Sequence, residues 1–366
     1  MNLENITKFY KEKKVFITGH TGFKGSWLCR ILINCGARVI GYALNPPTDP
    51  SLFECAAIEE GITSYIGDIR DFDKLWSVFD KEKPQIVIHM AAQPIVRESY
   101  KDPMTTYETN VMGTVNIMEC VRRSDYVESV VNVTTDKVYR NNEWDKGYIE
   151  TDVLDGYDPY SNSKSCSELV THSYIQSFFN EQNIPVSTCR AGNVIGGGDF
   201  AKDRIIPDCL RACLSNNPII VRNPNSIRPY QHVLEPLFAY LTIAMQQSAD
   251  HALAGAYNIG PNDDNCVTTG ELVDTFTEVW NEAISEKRIA GLNSAERKDL
   301  SDGGPHEANF LKLNCSKLKA TFKWNPKWDI KTTIEKIVEF ELIRYSATDK
   351  AVIAQCMDKQ ISEYIS

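Results

Sequence analysis

Long apolar runs are missing from this 366-residue chain. No stretch approaches the ~18 uninterrupted apolar residues of a membrane-spanning helix, so no such span is read. The segment from Met1 to Lys14 is charged and has no apolar centre, so no secretory signal is read there either. Basic residues are in deficit. The 39 Lys and Arg against 49 Asp and Glu leave a formal net charge of −10. The chain therefore lacks the broad basic footprint of a nucleic-acid binder, and only local pockets for a small anion remain open to it. Cysteine is present in an odd number, 11, but without CxxC pairs or histidine partners at zinc spacing. That pattern argues against a metal centre or a disulfide framework. It reads as buried, reduced thiols of a cytoplasmic protein. Internal repeats and low-complexity tracts are also absent.

What is present fits a large globular enzyme-sized protein. Hydrophobic residues make up 42% and charged residues 24%, enough to bury a full core in one large domain or two ordinary ones. The first half alternates β-rich runs (Val15–Thr18, Arg38–Tyr42, Ser64–Ile66, Ile86–His89, Ser129–Val133) with helical patterns near Ser26–Asn34, Lys74–Phe79, Thr106–Arg122 and Ser161–Phe179. Val186–Arg190 reads as one more strand. This rhythm predicts an α/β fold, a Rossmann-type doubly wound parallel sheet, over residues 1–191. From Gly192 to Ser366 the texture changes to turn signals and scattered helices, such as Asp208–Leu214 and Val233–Ala249. This is the expected smaller C-terminal substrate-binding lobe, with segments near 233–260 returning to the first domain. The polar stretch Ser285–Gly304 is expected as a mobile loop.

Directly after the first strand comes Gly19-His20-Thr21-Gly22-Phe23-Lys24-Gly25. Glycines let a backbone turn sharply and approach a pyrophosphate. The helix that follows offers free N–H groups and a positive dipole end. In a strand-turn-helix setting this predicts a dinucleotide-binding turn. His20 stands inside it, and its imidazole is expected either to crowd the pyrophosphate or to titrate near neutral pH. Asn45, at the end of the second strand, can bond a ribose without repelling a 2′-phosphate, and no arginine adjoins it, which leans weakly to NAD. Asp68 and Ile69 follow the third strand. They are read as an adenine contact, with a helix N-cap as the other role open to Asp68. Ala91, Ala92 and Gln93 end the fourth strand with small residues that admit a cofactor. His89, just before them, reads as a packed strand-end histidine.

Tyr160 and Lys164 are four residues apart and share one helix face. An ammonium beside a phenol favours the phenolate and lowers the tyrosine pKa, making a general base for a sugar hydroxyl. Thr135, after the fifth strand, supplies a hydroxyl for the substrate oxygen.

With these pieces in view, the chain resembles the extended short-chain dehydrogenase/reductases that act on nucleotide sugars, and among them the CDP-glucose 4,6-dehydratases. The carrying segments are Gly19–Trp27, Ala91–Pro94, Thr135–Lys137, Tyr160–Lys164, Arg190–Asp199 and Ile227–Val233, and the match runs from about residue 13 to the mid-320s. The resemblance implies NAD as a bound catalytic cofactor and CDP-glucose as the substrate. It also implies a place in deoxysugar supply for lipopolysaccharide O-antigen, and a homodimer or dimer of dimers built on paired helices. It gives Asp136 the role of acid for the departing C6 hydroxyl, the alternative being a loop aspartate. Lys137 stands where the dTDP-glucose dehydratases carry a glutamate base. It is either a base with a pKa lowered by burial or a cation that stabilises the enolate. Asn193, Arg204, Arg228, Tyr230 and His306 are implied substrate contacts, Arg228 at the diphosphate. Tyr230 either stacks on cytosine or is an ordinary packed aromatic. The competing functions are a nucleotide-sugar 4-epimerase, a dehydratase for another nucleotide-hexose, and a nucleotide sensor on the same fold. Asp136 and Lys137 beside Thr135 favour dehydration over epimerisation.

Overall fold

A computed structural model describes residues 3–287, 289–300 and 310–366. At its centre is a seven-stranded sheet: β1 (Lys14–Thr18), β2 (Arg38–Ala43), β3 (Thr63–Ile66), β4 (Ile86–His89), β5 (Ser129–Val133), β6 (Val186–Ala191) and β7 (Ala256–Ile259). The spatial order is β7-β6-β5-β4-β1-β2-β3, and every neighbouring pair is parallel. The inner strands are continuous β-branched runs such as Ile86-Val87-Ile88, buried on both faces, as a parallel sheet between helix layers requires. The strand order reverses between β1 and β4. A crevice therefore opens at their carboxyl ends, where open α/β sheets bind ligands.

One face is covered by the helices Phe72–Glu82, Gly113–Arg122 and Pro159–Tyr174, with Leu75, Phe79, Ile117 and Val121 in the shared core. The other face carries Leu3–Tyr10, Phe23–Asn34, Leu234–Ala249 and Lys350–Ile365, sealed by Trp27, Phe238, Met357 and Tyr364. Glu235 ties this layer together. Its carboxylate accepts the Lys327 and Trp328 amides, each at 2.9 Å, and the Tyr364 hydroxyl at 2.6 Å. Thus Leu234–Ala249, β7, Ser316–Phe322 and Lys350–Ile365 all belong spatially to the sheet. The second lobe has its own core, in which Ile206 and Leu210 of Ile205–Leu214, Phe276 and Trp280 of Thr269–Lys287, and Ile337 of Ile330–Ser346 meet.

Several boundaries differ from the sequence reading. The stretch expected as one helix over Thr106–Arg122 starts at Pro103 and contains a π-helical turn, Glu108–Met112. Ser161–Phe179 starts at Pro159, capped by Asp158, and also ends in a π turn, Ile175–Phe179. Ser285–Gly304 is not one loop. Ser285–Lys287 finish a helix, and Arg297–Asp299 pair in parallel with Ile219–Val221, held by Arg297 ion pairs to Asp274 and Asp299. Residues 288 and 301–304 lie outside the described residues. Eight of the eleven cysteines are buried and all are free thiols, so they serve as small core side chains. No helix among the described residues is long and apolar enough to cross a membrane.

Candidate active site

The glycine turn joins β1 to the helix Phe23–Asn34 at the mouth of the crevice. Gly22 is the N-cap of that helix, with no side-chain cap on its first N–H groups. A Cβ on Gly25 would overlap the Gly19 carbonyl, so the turn closes only with glycine there. Gly19 lies against the backbone of Ala91, which donates its N–H to Thr18 Oγ1 at 3.0 Å. Small residues thus let the turn pack closely against the end of β4. Thr21 donates its hydroxyl to the Leu44 carbonyl at 2.9 Å and pins the turn to the end of β2.

His20 departs from expectation. Its imidazole is fully buried under β2, where a Cβ on Gly41 would collide with it, and Nε2 lies 2.8 Å from Ser64 Oγ. The ring packs edge-on against Phe53. Burial pushes its pKa down to about 4, so it stays neutral and titrates well below neutral pH. Only the His20 backbone belongs to the turn, because the side chain has been drawn into the layer behind it. His89 is likewise buried, with Nδ1 2.7 Å from Thr18 Oγ1 and a pKa pushed down to about 3.

At the far side of the crevice, Asp68 is paired with Arg70 at 2.7 Å, and hydrogen bonding from Arg70 holds its carboxyl below the usual range. The cap of the next helix is Asp71, which accepts the Lys74 amide, so Asp68 is not the N-cap. Ile69 is buried against Gly113. The apolar side chains left exposed at this edge are Leu44 and Ile66, which the sequence reading did not single out. Gln93 is engaged locally: its side-chain amide donates to Thr106 Oγ1 at 2.9 Å and its carbonyl accepts the Ile95 amide.

The candidate catalytic residues converge where β5 ends against the helix Pro159–Tyr174. Thr135 adjoins the Tyr160 phenol, whose pKa it pulls down, and donates its hydroxyl to Asp136 Oδ1 at 2.9 Å. Lys137 Nζ reaches the same Asp136 oxygen at 3.3 Å. Asp136 is fully buried, whereas the Lys137 side chain is 30% exposed. Asn193, from the loop after β6, donates to Asp136 Oδ2 at 3.4 Å. Lys164 shares the helix face of Tyr160 but donates to the Val133 carbonyl at 3.0 Å. This corrects the expected coupling. Tyr160 is pushed up to about 12 by burial, with Thr135 and Arg204 pulling it down and Asp136 adding to the rise. Lys164 is pushed down to about 8 by burial, partly offset by Glu168.

Lys24, at the start of the first βα helix, donates to Tyr240 OH at 2.9 Å. Its pKa falls to about 7, first through burial and then through repulsion by Lys164 and Arg204. Asn110, on the π turn Glu108–Met112, was missed in the sequence. Its side chain accepts the Gln93 amide at 2.8 Å and donates to the Gln93 carbonyl and to Ser163 Oγ. It therefore locks the end of β4 to the Tyr160 helix. The only sequence signal was an asparagine in a helix interior, which is disfavoured there.

In the second lobe, Arg204 is half-exposed and pairs with Asp199 at 3.1 Å. Arg228 is buried on the short strand Ile227–Arg228, with Nη1 donating to the Ile227 carbonyl at 2.9 Å. Tyr230 is packed in the lobe core with its hydroxyl 3.0 Å from Thr269 Oγ1. His306 lies outside the described residues.

This arrangement suits hydride and proton exchange on a dinucleotide-assisted sugar. The profile of the GDP-mannose 4,6-dehydratase family matches residues 16–337. The chain is 46% identical to a CDP-glucose 4,6-dehydratase of Salmonella typhimurium, over 98% of both chains. Among solved structures, it is similar to the dTDP-glucose 4,6-dehydratase of Bacillus anthracis in complex with NAD (TM-score 0.71, 20% identity, covering 89% of this chain and 96% of that one). It is similar too to the UDP-glucuronic acid 4-epimerase of Bacillus cereus bound to UDP-glucuronic acid and NAD (TM-score 0.75, 20% identity, 90% and 99% covered). Both share the fold described above. The chain is therefore a member of the GDP-mannose 4,6-dehydratase family.

Proposed function

We propose that this protein is an NAD-dependent CDP-glucose 4,6-dehydratase, converting CDP-glucose to CDP-4-dehydro-6-deoxyglucose and water. The observation that carries the reading is the turn Thr135-Asp136-Lys137, which adds an acid and a cation to the Tyr160 centre. A 4-epimerase needs the tyrosine but no elimination pair. The relative at 46% identity supports CDP as the nucleotide.

The glycine turn, with Ala91 behind it, fits the pyrophosphate of the cofactor. Bound there, NAD+ supplies the acceptor for the C4 hydride and returns that hydride to C6. Tyr160 takes the proton of the C4 hydroxyl, with Thr135 and Arg204 favouring its charged form. The new ketone acidifies C5. Lys137, partly exposed and paired with Asp136, acts as a cation facing the charge that develops as the enolate forms. Asp136, held by Thr135, Asn193 and Lys137, takes the C5 proton and passes it to the departing C6 oxygen; when the hydride reaches C6, a solvent proton enters at C5 and Tyr160 gives the proton it took back to solvent. One water leaves and the cofactor ends as it began. Arg228 and Arg204 serve the diphosphate and Asn193 the nucleotide-sugar. His306 completes the proposed contacts, while Tyr230 packs in the lobe core. The product feeds deoxysugar synthesis, including that of lipopolysaccharide O-antigen, in the cytoplasm.

The protein works as a homodimer or a dimer of dimers. Met104, Met112, Leu169 and Phe178 are exposed along the helical segments Pro103–Arg122 and Pro159–Gln182, an apolar surface suited to a four-helix contact between two copies.

The test is product mass after incubation with CDP-, UDP-, GDP- or dTDP-glucose, with and without NAD+. Loss of one water from CDP-glucose in preference to the others is expected. An isomer of unchanged mass would identify an epimerase, and no turnover of any of them would identify a sensor.

A further inference from the structure

The turn that carries Thr135, Asp136 and Lys137 is held at both ends by one buried ion pair. Glu168 lies one helical turn beyond Lys164, and its carboxylate pairs with Arg190 of β6 at 2.8 Å, both side chains almost wholly buried. On one side, Glu168 accepts the hydroxyl of Thr134, the residue immediately before the turn, and also that of Thr188 at 2.7 Å. On the other side, Arg190 Nη1 donates to the hydroxyl of Tyr139, the residue that ends the turn, at 2.8 Å. The same Nη1 donates to the Glu150 carbonyl at 2.9 Å. Tyr139 passes its own proton to Asn258 Oδ1 at 2.6 Å, and Asn258 holds the Tyr148 carbonyl at 2.8 Å. Ser165, on the same helix, adds a bond to the Val138 carbonyl at 2.7 Å.

We infer that the Glu168–Arg190 pair is a clamp that positions the elimination turn by fixing Thr134 and Tyr139 on either side of it. Neither residue reaches the reacting atoms, so both are positioning residues. Two features support a role beyond stability. Hydrophobic groups of similar volume stabilise a core at least as well as a buried ion pair, so ionic chemistry here supplies geometry rather than strength. And the clamp grips the turn through Thr134 before it and Tyr139 after Val138, whereas Tyr160 and Lys164 receive no hydrogen bond from it and share only the helix that carries Glu168. Loosening the clamp should therefore slow loss of water more than oxidation at C4.

This inference rests on the dehydratase reading, and its test separates the two. Thr134→Val and Tyr139→Phe each remove one hydroxyl of the clamp while keeping its shape, so folding is preserved better than in Glu168→Gln or Arg190→Lys. Amide hydrogen exchange of the peptide spanning residues 134–140 is measured first, because it needs no substrate. Faster exchange there than in the wild type is expected, with other peptides unchanged. Turnover of CDP-glucose should then fall by about 10- to 100-fold in kcat, the scale of a misplacement near 1 Å, with little change in KM. Reduced nicotinamide should build up during turnover, because oxidation outpaces elimination. Unchanged exchange in 134–140 in both variants would overturn the clamp, as would lowered thermal stability with normal kcat per folded enzyme and no reduced nicotinamide. A wild-type protein that leaves CDP-glucose intact would count against the dehydratase reading, while the exchange result would still decide the clamp.

Discussion

Gly192 and Asp136 share a space that admits no further atom: a Cβ on Gly192 would overlap the Asp136 carboxylate. The backbone of Gly192 does not lie in the left-handed region, so alanine is compatible with its conformation but not with its neighbour. Gly192→Ala should fold, displace Asp136 and lower kcat by about 100-fold. Circular dichroism with steady-state kinetics checks this, and a normal kcat would show that the seat of Asp136 is unimportant.

Lys137 shares Asp136 Oδ1 with Thr135, so it stands beside the acid. Lys137→Ala should spare C4 oxidation and block loss of water, lowering turnover by about 10²–10⁴-fold, the usual contribution of an acid-base group. Reduced nicotinamide should accumulate, visible by its near-ultraviolet absorbance. Lys137→Glu, which reverses the charge facing the enolate, should be impaired at least as much, and measurable turnover by it would replace the cation role with that of a C5 base. Normal turnover by Lys137→Ala would remove this residue from the mechanism.

Lys24 gives the site a pH dependence. Its pKa is lowered to about 7 by burial and by the neighbouring cations Lys164 and Arg204. Below that value it carries a charge that favours the anionic pyrophosphate proposed for its own turn, and above it that charge is gone. NAD+ affinity should therefore fall as pH increases from 6 to 8, and Lys24→Met should flatten the fall. Calorimetric titration at both pH values measures it. An affinity that rises with pH, or the same slope in Lys24→Met, would contradict the assignment.

The exposed Met104, Met112, Leu169 and Phe178 of the two long helical segments predict association. Light scattering at micromolar protein should give the mass of a dimer or larger, and Met112→Lys with Leu169→Glu should give a monomer. A monomeric wild type would contradict the proposed contact.

The parts of the site that could be read from sequence are those carried by contiguous residues. The turn Gly19–Gly25, the run Thr135-Asp136-Lys137 and the pair Tyr160 and Lys164 each state their geometry within a few positions. What escaped depends on residues distant in the chain. Asn110 bonds Gln93 and Ser163, and Glu168 meets Arg190 only because β6 lies beside β5. The imidazole of His20 turns away from the glycine turn because Gly41 and Ser64, on other strands, leave a place for it. The expected lowering of the Tyr160 pKa by Lys164 failed for the same reason: the Val133 carbonyl takes the ammonium, and burial dominates the phenol. The helices Thr269–Lys287 and Ile330–Ser346 were legible in principle, since Leu272, Phe276, Val279 and Trp280 recur at helical spacing.

The central claim is that oxidation, elimination and reduction occur within one site, with one hydride moved from C4 to C6. CDP-glucose deuterated at C4, incubated with the protein and NAD+ and analysed by mass spectrometry and NMR, tests it most directly. The account predicts deuterium at C6 of the product in ordinary water, and solvent deuterium at C5 when the reaction is run in D2O with unlabelled substrate. Release of the C4 deuterium to solvent, or its recovery in free reduced cofactor, would contradict it.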